Sequence, residues 1–252
     1  MEKLSVVIIC FNEEKNIARC IFSVKPIADE ILILDSNSSD QTAAIAESMG
    51  AIVKQEVFRG FIEKKNKAAE LASYDYILSL DADEALDPQL TNSILKAKEK
   101  FNSPAYRMNR CTNYCGKFIR HGSWYPDKKI RLFDRRNAHW GGTNPHDKII
   151  LQEHTTPEHL QGDILHYSYH TVADHVTQNN KLSTLAANAL YAQGGKTTIF
   201  NVIANPGWAF IQSYLIRAGF LDGFFGLIIA IQIAHMTFLK HLKLYLLIKS
   251  TK

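Results

Sequence analysis

The chain has 252 residues, 46% hydrophobic and 21% charged, with a formal net charge of +4. This composition excludes a disordered or fibrous chain and allows one large domain, alone or with an appendage. Four scattered cysteines form no disulfide framework, which points to a reducing compartment, and the short first apolar run has strand character rather than that of a secretory signal.

Residues 4–10 (LSVVIIC) form a continuous apolar run, the pattern of a strand buried on both faces. Asn12 and Glu13 open a predicted helix through Val24. A second strand covers 31–34 and ends at Asp35. After the Ser/Asn loop 36–39, Asp40 is placed to cap a helix over 41–49, which Gly50 ends. A short strand over 51–55, a lysine-bearing helix over 61–72 and a fourth strand over 76–80 follow. Strands alternating with helices predict a parallel sheet with right-handed crossovers. Pro88 begins a further helix to about residue 100.

The fourth strand ends in Leu80-Asp81-Ala82-Asp83-Glu84. Ligands of open α/β sheets bind at the carboxyl ends of strands. Two Asp separated by one small residue can turn oxygens toward one hard cation, which can hold a nucleotide diphosphate.

The middle is less regular. Segments 105–110, 129–133, 149–151 and 164–167 read as strands, with Gly141-Gly142 and Pro145 marking loops. Residues 96–136 hold twelve Lys/Arg against three Asp/Glu. Such a block suits a solvated face, a phosphorylated partner or an anionic membrane surface. Nucleic acid is not expected, because no helix-turn-helix, zinc finger or RNA-binding signature accompanies the charge. Cys111 and Cys115 near His121 lack a second cysteine pair, so no zinc site is read there.

From Thr171 the pattern turns helical, over 171–193 and 203–219. The stretch 223–239 carries no formal charge, with Gln232 and His235 interrupting its apolar run. Lys240, Lys243, Lys249 and Lys252 follow among Leu, Tyr and Ile. Such a tail suits a helix lying in the headgroup region of an anionic leaflet or packing on the domain.

Four segments together resemble the family 2 glycosyltransferases of GT-A fold: Ser5–Glu14 (SVVIICFNEE), Leu34–Thr42 (LDSNSSDQT), Lys65-Asn66 and Leu80–Glu84 (LDADE). Later segments are similar to the bacterial lipopolysaccharide inner-core β-glucosyltransferases: Trp124–Asp127, Arg131–Phe133, Asn144–Asp147, Leu165–Tyr169, Asn205-Pro206, Trp208–Phe210 and Gly219–Gly223. That subgroup usually has His-Glu where this chain has His146-Asp147, one methylene shorter.

The resemblance implies an α/β fold: a GT-A-type, Rossmann-like, mostly parallel sheet flanked by helices, with a helical C-terminal extension. It divides the chain into a catalytic domain over 1–168 and an extension over 169–252. Residues 1–100 then bind the nucleotide sugar, and residues 101–168 carry the acceptor site and the base. It implies inverting transfer of a hexose, glucose from UDP-glucose in the narrow reading, with Mg2+ or Mn2+. The acceptor is a phosphorylated, lipid-linked saccharide, inner-core heptose or another cell-envelope glycan. The protein is expected in the cytoplasm, peripheral at the inner membrane.

By the same resemblance, Phe11, Asn12, Glu13 and Asp35 line the base pocket, with Asp35 able to accept the uracil imide N–H. Lys65 reaches the nucleotide while the other lysines of its run stay solvated. Asp81 faces the ribose and the metal, and Asp83 ligates the cation directly. His146 is a further metal contact, and Asp147 is the base that deprotonates the acceptor hydroxyl. Trp124, Arg131 and His166 are assigned to the acceptor or the diphosphate. Glu84 orients the metal loop or touches the donor sugar. A sugar nucleotidyltransferase would need a glycine-rich basic loop where Phe11-Asn12-Glu13-Glu14 stands. A non-catalytic membrane-associated protein would not need Asp83, and a dinucleotide dehydrogenase would need Gly-x-Gly-x-x-Gly after the first strand.

Overall fold

The computed structural model describes residues 1–143 and 146–250, with His146 described by its backbone only. Asn144, Pro145 and Lys252, named above, lie outside the described residues. In chain order the first half runs β1 (Leu4–Cys10), α1 (Ile17–Val24), β2 (Glu30–Asp35), α2 (Thr42–Ser48), β3 (Ile52–Gln55), α3 (Phe61–Leu71), β4 (Tyr76–Asp81), β5 (Glu84–Leu86) and α4 (Pro88–Glu99). Then come β6 (Ala105–Tyr114), β7 (Lys117–Phe118), β8 (Asp127–Asp134), β9 (Ala138–Thr143), β10 (His146–Leu151), β11 (Glu158–Tyr169), α5 (Val172–Ala192), α6 (Ile199–Ile211) and α7 (Phe224–Ser250).

The main sheet has the order β3-β2-β1-β4-β8-β6-β11-β5, with β7 paired to β6. Strands β3, β2, β1 and β4 are parallel, as their alternation with helices requires. This is the expected Rossmann-like α/β sheet. Beyond β4, β8 runs antiparallel to β4 and β6 antiparallel to β8. A separate antiparallel hairpin joins β9 to β10.

Strand β1 is buried on both faces because it is central. Val6 and Ile8 pack with Ile17 and Ile21 of α1 and with Leu90 and Ile94 of α4. Val7 and Ile9 point to the other face, with Ala68 and Ala69 of α3, Phe133 and Trp140. Each such buried aliphatic side chain contributes about 1.5–3 kcal/mol. The two faces together fix where β4 ends, and so where its carboxylates stand.

Several expectations are corrected. The first helix begins at Ile17, not near Asn12: Asn12 has φ +54°, and the N–H groups of residues 12–14 bind the 38–42 loop instead of opening a helix. Asp40 caps less directly than expected. Its Oδ1 accepts from Thr42 N at 3.0 Å, one residue past the helix N-cap position at Gln41. Gly141 and Gly142 lie inside β9 rather than in a loop. A Cβ on Gly141 would stand 2.8 Å from Ile150 Cγ1, so the glycine answers close cross-strand packing. The helix placed at 203–219 starts at Ile199, where the Thr198 hydroxyl accepts from Asn201 N at 3.3 Å, and passes into a wider turn over 212–216.

The basic stretch 96–136 is not one solvated face. Lys98 pairs with Asp29 at 2.5 Å, Arg110 with Asp127 at 2.8 Å, Arg135 with Asp75 at 3.3 Å and Arg136 with Asp134 at 2.7 Å. Much of its charge is paired with carboxylates, Asp127 and Asp134 within the stretch and Asp29 and Asp75 outside it.

The chain forms two compact units: residues 1–110 with 127–167, and residues 111–126 with 168–252. The first holds the parallel strands. In the second, α7 packs along α5 and α6. Its polar side chains are met by those helices: Asn179 Nδ2 donates to Gln232 Oε1 at 3.1 Å, Asn205 Nδ2 lies 2.9 Å from His241 Nε2, and Lys243 Nζ donates to Ser183 Oγ at 2.8 Å.

Candidate active site

The acidic end of β4 is held by two cations from other elements. The Asp81 carboxylate lies 3.1 Å from Lys65 Nζ on α3 and 3.1 Å from Arg131 Nη2 on β8. Burial alone would push its pKa up. Lys65 and Arg131 overcome that and hold it well below the usual carboxylate range. Arg131 also donates to Glu84 Oε1 at 3.0 Å, and Glu84 Oε2 accepts from Asp81 N at 3.0 Å. Burial works against the Arg131 charge, but Glu84 and Asp81 outweigh it and raise its pKa. Glu84, 1% exposed, therefore pins the turn rather than facing a ligand. Arg131, 4% exposed, holds Asp81 and Glu84 together.

Asp83 has different surroundings. Its Oδ2 lies 3.2 Å from His166 Nε2 on β11, and its carbonyl accepts from Tyr167 N at 2.9 Å. The two carboxylates of Asp81-Ala82-Asp83 thus meet unlike partners: permanent cations at Asp81, an imidazole at Asp83.

Lys65 joins this strand end to Asp147. Its Nζ stands 2.8 Å from Asp147 Oδ2 on β10, and 4.4 Å from the Trp140 ring centroid. The Trp140 face supports both Lys65 and, at 5.3 Å, Arg131. Asn66 fixes this hairpin from α3: its Nδ2 donates to Trp140 O at 2.8 Å, and its Oδ1 accepts from Trp140 N at 2.9 Å. The side chain of His146 lies outside the described residues.

Two loops meet at the ends of β1 and β2. Asn12 N donates to Ser38 Oγ at 2.8 Å, Ser39 N to Asn12 Oδ1 at 2.8 Å, and Glu13 N to Thr42 Oγ1 at 2.7 Å. Asp35 is fully buried. It accepts from Ser38 N at 2.9 Å, from the Ser38 hydroxyl and from Cys10 Sγ at 3.3 Å. Burial works upward on its pKa, but the Ser38 bonds hold it below the usual range. Phe11, by contrast, is 57% exposed.

Lys64 corrects the expectation that only Lys65 leaves solvent. It is buried, donates to Cys10 O at 2.7 Å and meets the Ser36 hydroxyl, tying β1 to β2; burial lowers its pKa. The sequence reading missed Lys64, the structural use of Asn66 and Trp140, and Arg110, whose Nη1 lies 3.6 Å from Glu84. Trp124 belongs to the second unit, stacked on Tyr169 at 5.3 Å between centroids.

Phe11, Asn12, Glu13, Asp35, Lys65, Asp81, Asp83, Arg131, Asp147 and His166 therefore share the first unit. Direct contacts link Lys65, Asp81, Arg131 and Asp147, and separately Asp83 and His166. Among the described residues no group of three or more His, Cys, Asp or Glu forms a ready metal site. Asp83 Oδ2 offers a carboxylate oxygen that fits Mn2+ or Mg2+ with further oxygens from ligand or water, and His166 Nε2 beside it adds a nitrogen that suits the softer Mn2+ better than Mg2+.

The glycosyl transferase family 2 model matches residues 5–154, and the chain belongs to that family. It is 32% identical to an uncharacterized glycosyltransferase of Rickettsia typhi, over 97% of this chain and 87% of that one. It is 28% identical to the lipopolysaccharide core biosynthesis glycosyltransferase LpsC of Rhizobium meliloti, over 96% of this chain and 92% of that one. Among solved structures, glucosyl-3-phosphoglycerate synthase of Mycobacterium tuberculosis, with Mn2+, UDP and glucosyl-3-phosphoglycerate, matches 44% of each chain at 24% identity and a TM-score of 0.38.

Proposed function

We propose that this glycosyltransferase moves a hexose, glucose from UDP-glucose, with inversion onto a lipid-linked saccharide of the cell envelope, inner-core heptose of lipopolysaccharide in the narrow form. The observation that carries the reading is the unlike pairing of the two aspartates: Asp81 neutralised by Lys65 and Arg131, Asp83 beside His166. The full-length similarity to LpsC supports the acceptor class.

Asp83 and His166 would hold a divalent cation. When bound, that cation neutralises charge on the departing diphosphate. Lys65 is the counter-ion of two carboxylates, and a diphosphate offers its ammonium a third anion. Asp147 accepts the proton of the acceptor hydroxyl. The new bond forms from that oxygen to the anomeric carbon as the bond to the phosphate oxygen breaks. The electron pair leaves with UDP, which needs no proton donor. One displacement inverts the anomeric centre, and one base suffices. Phe11, Asn12, Glu13 and Asp35, on the loops after β1 and β2, form the base side of the donor pocket.

The protein works at the cytoplasmic face of the inner membrane. Helix α7 is long and apolar enough to span a bilayer by length and composition. Its hydrogen bonds to α5 and α6 favour a packed, peripheral arrangement instead. The test is a donor panel of UDP-glucose, UDP-galactose and UDP-N-acetylglucosamine with extracted lipid acceptor lacking the outer sugars. A β-linked glucose on heptose supports the narrow form; another hexose or acceptor moves the assignment within the family.

A further inference from the structure

Helix α6 is turned inside out for a helix of a soluble protein. Val202 is its only buried residue, while Ile199, Phe200 and Ile203 are 65%, 73% and 72% exposed. Phe200, Ile203, Trp208, Ile211 and Leu215 recur at helical spacing and form one exposed stripe. Phe220, Leu221 and Phe224 extend the exposed apolar run to the start of α7. An exposed apolar and aromatic run of this kind marks an interaction site.

Its charge identifies the partner. Between Lys196 and Lys240 the only formally charged residues are Arg217 and Asp222. Asp222 is 5% exposed and turned inward, accepting from Arg120 N at 3.0 Å and His121 N at 2.8 Å, with His121 Nδ1 at 3.2 Å. The exposed charges bordering the stripe are the cations Lys196 and Arg217. An apolar aromatic face without an exposed carboxylate, bordered by cations, complements an anionic bilayer surface.

We propose that α6 and residues 212–224 are the face that inserts into an anionic leaflet, lying in its plane, with α7 as the helix that supports them. This rests on the membrane reading above and relocates the contact from the C-terminal tail to the segment before it.

The test is flotation of the full chain with vesicles of phosphatidylethanolamine and phosphatidylglycerol, and with phosphatidylcholine alone. Ile203→Glu lowers partitioning by roughly tenfold or more. Arg217→Gln lowers it about fivefold on the anionic vesicles alone. Leu246→Glu, on an exposed part of α7 outside the stripe, changes it by less than about twofold. Ile203 and Leu246 are exposed, so neither change empties a core, and melting curves check this for each variant. If the wild type floats and Ile203→Glu floats equally, this surface is overturned while membrane association stands. If the wild type floats with neither vesicle, both fail. If the wild type sediments as a dimer that Ile203→Glu dissociates, and that variant still floats, the stripe is a protein interface and the proposal is wrong. Transfer to a detergent-solubilised acceptor, measured in parallel, tests the catalytic reading independently.

Discussion

Lys65 Nζ lies 2.8 Å from Asp147 Oδ2, joining helix α3 to strand β10 across 82 positions of sequence. The ammonium is almost wholly buried, and its second partner is Asp81. One cation therefore pairs with both the strand-end carboxylate and the proposed base. Replacing Lys65 by Met leaves two neighbouring carboxylates without it. Breaking a fully buried pair costs about 3–5 kcal/mol; the partial exposure of both carboxylates lowers this to about 2 kcal/mol. Urea unfolding of Lys65→Met at neutral pH measures that loss, and turnover falls with it. Unchanged stability would show that Arg131 alone satisfies Asp81.

Asp147 and Asp83 are assigned different tasks, and kinetics separate them. Asp147→Asn lowers kcat by about 10²–10⁴ with KM for the donor nearly unchanged, because general-base catalysis acts in the transition state. Asp83→Asn instead raises the Mn2+ concentration needed for half-maximal rate and nearly abolishes turnover. A normal cation dependence in Asp83→Asn would remove it from the metal site.

The Asn66 side chain clips the Trp140 backbone with two hydrogen bonds. Asn66→Ala leaves that amide and carbonyl unpaired by it, at a cost of about 1–3 kcal/mol. Because β9 pairs with the strand that carries Asp147, the variant also loses kcat. A stable but slow Asn66→Ala enzyme identifies a positioning role; full activity would show that the hairpin holds its place without the clip.

The sequence made the strand-helix alternation up to β4 legible because local periodicity and strand burial agreed there. The acidic strand end was legible for the same reason: a run of apolar residues stops abruptly in carboxylates. Partners were not. Lys64 reads as a solvated neighbour of Lys65, yet both are buried, and their ammonium groups reach oxygens on β1, β4 and β10. The basic stretch had the same problem: charge counts do not reveal that Arg135 meets Asp75 or that Arg110 meets Asp127. Gly141 looked like a loop residue because a lone chain does not display the Ile150 side chain that excludes a Cβ.

His175 supplies a pH test in the second unit. It is 2% exposed among Tyr114, Trp124 and Tyr169, and burial lowers its pKa from 6.5 to about 4. The unfolded chain takes up a proton near 6.5 and the folded chain only near 4, so acid favours unfolding between those values. Stability therefore rises with pH across that window, by about 2–3 kcal/mol from this residue, and its contribution levels off above. In His175→Phe that part of the slope disappears in urea titrations taken from pH 4 to 7. An identical slope in the variant would place the acid sensitivity elsewhere.

The central claim is a single inverting displacement assisted by a cation at Asp83 and a base at Asp147. The most direct measurement is NMR of the anomeric configuration of the product from UDP-α-glucose, with the cation removed by chelation and restored. The account predicts a β-linked product that forms only with Mn2+ or Mg2+ present. An α-linked product, or undiminished transfer in the chelator, would contradict it.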